Sequence, residues 1–267
     1  MANKKETVSR TVMVALALCI VCSVIVSTAA VTLSPAQATN RLLDMKSNIL
    51  AAAGMLPKGA SSDRIEELFS RFDVKLVSLE TGEYIDPESL GLANAMAYDQ
   101  YQASNNPERS ENIPASEDKA GIKRQADIAK VYILREGDEV TKIVLPVHGY
   151  GLWSTMYGFM ALQGDANTVE GLGFYSHGET PGLGGKIDNP EWKQNWIGKK
   201  IYEEDSTEPQ IRLIKGGVGA DAKDKQHKVD ALSGATLTSR GVQNMVNFWM
   251  GDRGFAPYLK QLRSGEV

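Results

Sequence analysis

The sequence predicts an α+β fold behind a single N-terminal transmembrane helix. One long uncharged apolar stretch lies near the N-terminus, and farther along the chain two pairs of strand-like segments are each joined by a short turn. Helical patterns lie on both sides of these segments, without the regular alternation of strands and helices that marks a doubly wound fold. We therefore expect an antiparallel sheet that is flanked by helices.

The apolar stretch runs from Thr11 to Val31, about 21 residues without a charged side chain, which is long enough to span a bilayer. Lys4, Lys5 and Arg10 precede it, and basic flanks stay in the cytoplasm. We therefore expect a cytoplasmic N-terminus, with the rest of the chain outside the cytoplasm.

A cleaved signal peptide is the alternative for this stretch. Ala36, Gln37 and Ala38 resemble the small-x-small site that signal peptidase reads. The apolar run is longer than the roughly 7–15 residues of a typical signal peptide. We therefore expect an uncleaved anchor.

Composition excludes several classes of function. A net charge of -4 and a sequence pI near 5.5 do not favour nucleic-acid binding, which needs a basic surface. Cys19 and Cys22 both lie in the apolar stretch, so the exported part has no thiol for a disulfide, an iron–sulfur cluster or a zinc–thiolate site. The spacing of His148, His177 and His227 does not favour a metal site either.

After the anchor, the patterns predict two helices, a strand and a loop. We expect an amphipathic helix over Asn40 to Leu56 and a second helix from its cap at Asp63 to about Phe72. A strand follows over Val74 to Val77, and the turn Thr81-Gly82 closes it. The segment from Ala103 to Gln125 is expected to be an exposed loop.

The remaining part alternates between strand and helix signals. We expect two hairpins. The first pairs Val131 to Leu134 with Val140 to Val147, and the second pairs Met156 to Leu162 with Val169 to Tyr175. After them we expect a short helix over Pro190 to Gly198, a strand over Ile211 to Ile214, a solvated stretch over Asp221 to Lys228, and helices over Ser239 to Trp249 and Pro257 to Leu262.

Two motifs carry chemical information. The first, Asp230 to Ser239, contains Ser233, Gly234, Ala235 and Thr236 directly before the predicted helix, which Thr238 or Ser239 can cap. Small residues let the backbone approach a ligand, and a helix N-terminus favours a phosphate. A simple helix cap is the alternative interpretation.

The second motif runs from His177 to Gly185 and follows a predicted strand. Its four glycines and one proline indicate a fixed, irregular backbone, although a mobile glycine-rich loop is equally compatible with the composition. Neither a dinucleotide fingerprint nor a Walker-type phosphate loop fits the spacing of these glycines.

Together, the two motifs resemble the covalent FMN-binding domain of redox-driven ion pumps. The single anchor, the length and the segment Gly149 to Trp153 are similar to the C subunits of Na+-translocating NADH:quinone oxidoreductases. The G subunits of the related Rnf complexes share the threonine signature and are the alternative, together with an anchored periplasmic flavin-handling protein.

This resemblance implies a cofactor site and a role. Thr236 would carry FMN through a phosphoester, made from FAD by a separate flavin transferase. The other residues that the resemblance assigns to the cofactor are Ser233, Gly234, Ala235, Thr238, Trp153, His177, Glu179, Thr180, Gly182 and Leu183. Trp153 is equally compatible with a place in the core.

The resemblance also implies partners and a location. The chain would be a single-pass protein of the bacterial inner membrane with a periplasmic domain. It would relay electrons between other subunits of the complex toward quinone, without oxidising NADH itself. We expect four parts: a cytoplasmic segment over residues 1–10, a transmembrane helix over 11–31, a mixed membrane-proximal part over 32–125, and the FMN-binding domain over 126–267.

Overall fold

The structure is a computed structural model that describes residues 7–204, 206–219 and 221–265. The helices are α1 (Val8–Ala52), α2 (Ser62–Phe69), α3 (Gln100–Ser104), α4 (Pro190–Gln194), α5 (Thr236–Trp249) and α6 (Ala256–Ser264). Short 3-10 helices cover Pro87–Leu90, Ala95–Ala97, Gly184–Asp188 and Lys225–His227. The strands are β1 (Phe72–Ser78), β2 (Tyr84–Ile85), β3 (Ser110–Asn112), β4 (Arg124–Ala126), β5 (Ile128–Glu136), β6 (Glu139–Tyr150), β7 (Thr155–Gln163), β8 (Val169–Ser176), β9 (Arg212–Ile214) and β10 (Lys228–Asp230).

The chain divides into two units, Met1–Met45 and Lys46–Val267. In the first unit, α1 is long and apolar enough to cross a membrane. Arg10 lies near the start of this helix, whereas Lys4 and Lys5, on which the predicted topology also depends, lie outside the described residues.

A six-stranded antiparallel sheet forms the centre of the second unit, in the order β2-β1-β5-β6-β7-β8. Both predicted hairpins are present, as β5–β6 and β7–β8, and β7 pairs along its whole length with residues Lys142 to Tyr150 of β6. The predicted α+β class and the antiparallel sheet are therefore confirmed. Two small pairs complete the strands, a parallel one between β9 and β10 and an antiparallel one between β3 and β4.

Helices cover both faces of this sheet because its strands are apolar on both sides. On one face, α5 packs against β6, where the indole N–H of Trp249 donates to the carbonyl of His148 at 2.7 Å. On the other face, the aromatic ring of Phe69 from α2 packs against that of Tyr132. The last residues of α1 also reach this second face, where Ala52 lies against Gly171 of β8.

The segment from Ala103 to Gln125 is not the exposed loop that its polar composition suggested. It contains the end of α3, all of β3 and the start of β4, and Ile113, Ala120 and Ile122 are buried in the main core. Single apolar residues at irregular spacing produce no periodic signal, so only the tertiary contacts show that the segment is packed.

Several element boundaries also differ from the prediction. The cap of α2 is Ser61, whose hydroxyl accepts from the Arg64 N–H at 3.3 Å, and not Asp63, which lies in the first turn. The expected separate helix from Asn40 to Leu56 is the last part of α1, which continues through Pro35 and ends at Ala52. Within the predicted solvated stretch, His227 is buried.

Candidate functional site

The N-terminus of α5 lies at the centre of the candidate site. The helix begins at Thr236, three residues earlier than expected, with Ala235 as its cap and no side chain capping it. The Ser239 N–H donates the first helical hydrogen bond, to the Ala235 carbonyl at 3.0 Å. The N–H groups of Thr236, Leu237 and Thr238 therefore precede the helical ladder, at the positive end of the helix dipole.

The expected caps have other partners. The Ser239 hydroxyl donates to the Ala235 carbonyl at 2.9 Å and accepts from the Leu232 N–H at 2.9 Å, which folds the signature segment back onto the helix. The Thr238 hydroxyl is buried and turns away from its own helix. The prediction that one of them caps α5 was wrong, because both lie within its first turn.

Glu179 joins three segments of the site through its buried carboxylate. Oε1 accepts from the backbone N–H groups of Leu152 at 2.9 Å and Trp153 at 3.0 Å. Oε2 accepts from the Thr238 hydroxyl at 2.5 Å. One side chain thus fixes the glycine-rich loop, the β6–β7 turn and the start of α5 to one another.

The electrostatics of Glu179 follow from these contacts. Burial alone would raise its pKa, but the hydrogen bonds from the Thr238 hydroxyl and from the Trp153 and Leu152 N–H groups outweigh this effect, so the pKa is lowered from its ordinary value. The carboxylate is therefore ionised at neutral pH and is held there by donors, not by a cation.

His177 and Ser154 fix the beginning of the glycine-rich loop. Nδ1 of His177 accepts from the Glu179 N–H at 3.2 Å, which leaves the ring proton on Nε2, 2.7 Å from Oδ2 of Asp188. The Ser154 hydroxyl accepts from the Gly178 N–H at 2.6 Å. The beginning of the loop is therefore held by hydrogen bonds on both sides, which favours the fixed backbone of the two interpretations.

The second half of the loop is a tight turn around Thr180. The Thr180 carbonyl accepts from the N–H groups of Leu183 at 3.1 Å and Gly185 at 2.9 Å. Gly182 has a φ of +77°, which glycine adopts without strain. At Gly184, a Cβ atom would lie 2.5 Å from the Thr238 hydroxyl oxygen, so the close approach of this loop to α5 requires a glycine.

Exposed apolar side chains surround the start of α5. Trp153 is 64% exposed, Leu237 52%, Leu183 47% and Leu152 38%. Trp153 is therefore not a core residue. A Cβ atom on Gly234, whose φ is +76°, would lie 3.4 Å from Cδ2 of Leu183, so the signature segment and the loop are neighbours. This arrangement offers an apolar surface for a planar ring next to donors for an anion.

The structure thus brings most of the predicted site residues to one place. Ser233, Gly234 and Thr236 are exposed, and Ala235 is buried behind them. Sequence reasoning missed Leu152, Ser154 and Leu237. The first two lie beside Trp153, and Leu237 directly follows the signature, so adjacency was the available signal.

The three histidines lie apart from one another, each in its own contacts. Burial lowers the pKa of His148 to about 4, and its ring stacks on Tyr157 and makes a tilted contact with Trp249. His227 Nδ1 lies 2.6 Å from the Lys200 carbonyl. Within residues 7–204, 206–219 and 221–265, no group of three or more His, Cys, Asp or Glu side chains is arranged to hold a metal ion.

Comparison with known families gives a match over the same region. Residues 151–251 match the model of the FMN-binding domain family. This range contains the glycine-rich loop, the signature segment and α5, together with Trp153 at its beginning.

Comparison with individual proteins gives full-length relatives. The chain is 47% identical over 268 residues to the C subunit of the Na(+)-translocating NADH-quinone reductase of Pseudomonas aeruginosa, and the match covers 100% of both chains. It is 44% identical to the C subunit of the Vibrio anguillarum reductase, and that match covers 99% of each chain.

Solved structures share the fold. The crystal structure of Shewanella oneidensis NqrC matches with a TM-score of 0.73 at 35% identity, over 83% of this chain and 97% of that one. The crystal structure of the corresponding C subunit from Parabacteroides distasonis matches with a TM-score of 0.61 at 27% identity, over 85% of this chain and 94% of that one.

Proposed function

Because this chain belongs to the family of C subunits of the Na+-translocating NADH-quinone reductases and contains an FMN-binding domain, we propose that it carries FMN covalently, through a phosphoester to Thr236. Between the two pump families that the sequence resembled, the full-length relatives favour the NADH-quinone reductases. The chain is thus one part of a larger enzyme complex.

The position of Thr236 is the observation that carries this proposal. Its side chain is exposed, and it is the first residue of a 14-residue helix. A phosphate bonded to its hydroxyl lies next to the free N–H groups of the first helical turn, which are the preferred partners of an anion. Thr238, the other threonine of this turn, is 1% exposed and donates to Glu179, so it is unavailable for attachment.

The exposed apolar side chains fit the other end of the cofactor. Leu183 and Trp153 are exposed apolar side chains, Leu183 lies beside Gly234 of the signature, and Thr180 lies in the same loop as Leu183. We propose that these three residues contact the isoalloxazine ring, and that Ser233, Gly234 and the backbone N–H of Thr238 surround the phosphate. Gly182 and His177 shape the loop that presents Leu183.

Glu179 has a different role from the residues that contact the flavin. Its carboxylate already accepts three hydrogen bonds from the protein, from Leu152, Trp153 and Thr238. We propose that it positions the segments around the ring and takes no part in proton transfer.

The proposed role is electron relay. When bound, the flavin supplies the redox chemistry, and the protein binds, orients and shields it. NADH is oxidised on another subunit and the electrons continue toward quinone, so this chain needs no NADH site. A flavin transferase supplies the FMN from FAD.

The location follows from α1 and its basic flank. We propose that α1 is an uncleaved anchor in the bacterial inner membrane, with residues 1–10 in the cytoplasm, 11–31 in the bilayer, and the mixed part 32–125 and the FMN-binding part 126–267 in the periplasm.

Covalent attachment is tested by the fluorescence of the denatured protein. The full chain is produced in cells that contain the attaching enzyme, separated on a denaturing gel and viewed under ultraviolet light. The wild-type band should fluoresce, Thr236→Ala should not, and a Thr207→Ala control should equal the wild type. Fluorescence that persists in Thr236→Ala would place the attachment elsewhere.

A further inference from the structure

A groove of about 520 Å³ lies beside the first half of α5, next to the proposed flavin site. We refer to it as the basic groove and define it by Lys119, Lys123, Tyr150, Leu152, Leu237 and Arg240, which line it. Leu237 directly follows Thr236 and Leu152 directly precedes Trp153, so the groove borders the cofactor site along two segments.

The charge of this groove is opposite to that of the chain. Lys119, Lys123 and Arg240 are exposed, and Asp118 is the one acidic residue among those that line it. In the part of the chain that the structure describes, none of the three cations forms an ion pair. The chain as a whole carries a net charge of -4. A concentrated positive surface on an acidic protein favours an acidic partner.

The backbone that carries two of the cations is fixed. The carboxylate of Asp118 accepts from the N–H groups of Ile122 and Lys123, both at 2.7 Å. Asn244 of α5 donates from its side-chain amide to the Lys119 carbonyl at 2.9 Å. Lys123 has a φ of 68°, an uncommon conformation for a residue other than glycine, which the Asp118 contact maintains.

Apolar side chains occupy the edge of the groove that faces the cofactor site. Leu237 is 52% exposed, Tyr150 48% and Leu152 38%, and they are continuous with Trp153. An exposed apolar patch with charged residues at its rim is the usual anatomy of a protein–protein interface. A partner that covers this patch would lie close to the proposed flavin site.

We propose that the basic groove is the docking site for an acidic face of another subunit of the complex, the one that donates electrons to the flavin. This inference rests on the proposed function, because the location next to Thr236 is what makes docking there productive. It concerns docking alone and adds no covalent step. The positive charges attract and orient the partner, and the apolar edge is buried when the two faces meet.

The test reverses the charge of the groove in the assembled complex. The test variant combines Lys123→Glu with Arg240→Glu. One control combines Lys123→Arg with Arg240→Lys, which conserves the charge. The other control is Lys260→Glu in α6, which reverses the charge of an exposed lysine outside the groove. The covalent flavin content is measured by gel fluorescence, and the rate of flavin reduction after rapid mixing of the complex with NADH is measured at several salt concentrations.

The reversed pair should keep its flavin and remain in the complex, but its flavin should be reduced about tenfold more slowly at low salt. The wild-type rate should fall as salt rises, and the rate of the reversed pair should not. Both control variants should behave like the wild type.

Three results would overturn the proposal. An unchanged reduction rate with full flavin content would show that the groove does not guide the partner. A loss of flavin in the reversed pair alone would assign the groove to attachment, and loss of this chain from the complex would make it a permanent assembly contact. Absence of covalent flavin from the wild type would instead contradict the proposed function, independently of the groove.

Discussion

The hydroxyl of Thr238 donates a hydrogen bond of 2.5 Å to the carboxylate of Glu179, two residues that are 59 positions apart in the sequence. This contact joins the first turn of α5 to the glycine-rich loop, and the second oxygen of the same carboxylate holds the β6–β7 turn. The geometry of the proposed flavin site therefore depends on one buried acid.

Replacement of Glu179 by alanine should destabilise the domain strongly. The buried Thr238 hydroxyl and the N–H groups of Leu152 and Trp153 would lose their acceptor, and we expect a loss of about 3 kcal/mol in the free energy of unfolding. Urea unfolding of the chain without residues 1–38 measures this value. The exposed control Glu203→Ala should change the stability by less than about 0.5 kcal/mol. Equal effects of the two substitutions would show that Glu179 does not join the segments.

The contribution of Glu179 should depend on pH. Its pKa in the folded protein is below the ordinary value of 4.5, so folding favours the ionised form. The stabilisation is therefore complete above about pH 5 and is lost as the pH falls through the folded pKa. Relative to Glu179→Gln, which does not titrate, the wild type should progressively lose its advantage as the pH falls below the ordinary carboxyl pKa of 4.5. An advantage that grew on acidification would contradict the sign of the shift.

Gly184 should not tolerate a side chain. A Cβ atom there would lie 2.5 Å from the Thr238 oxygen and 2.7 Å from Oε2 of Glu179. We expect Gly184→Ala to cost about 2 kcal/mol and to reduce flavin content, because the loop must move away from α5. Gly219→Ala is the control, since an added Cβ atom meets nothing within 4 Å there. If both variants retain full stability and flavin, the loop is not held as closely as the structure indicates.

Removal of residues 1–38 should yield a soluble folded domain. The unit from Lys46 to Val267 contains the whole sheet and both helical layers, and the exposed apolar side chains of α1 lie before it. Circular dichroism and size-exclusion chromatography check the fold and the solubility. Aggregation of the shortened chain would show that the second unit needs the anchor. In spheroplasts, whose outer membrane has been opened, an added protease should cut the full-length protein if the domain is periplasmic.

The parts of the fold that were predictable are those specified by local patterns. The hairpins β5–β6 and β7–β8 have their turn residues and their apolar strand residues in one short stretch of sequence. The packing of Ile113 and Ile122 depends on residues far away in the chain, so the segment around them looked like a loop. For the same reason the motifs indicated residues that lie close together, but not that Glu179 joins its loop to α5 and to the β6–β7 turn.

The location of the flavin is the central claim, and tandem mass spectrometry of the native full-length chain tests it most directly. The protein is purified from cells that contain the attaching enzyme and digested, and the peptide that contains Thr236 is fragmented. We predict that this peptide carries one FMN, bonded through its phosphate, and that the fragments assign it to Thr236 and not to Ser233 or Thr238. An unmodified peptide, or a flavin on any other residue, would contradict the account.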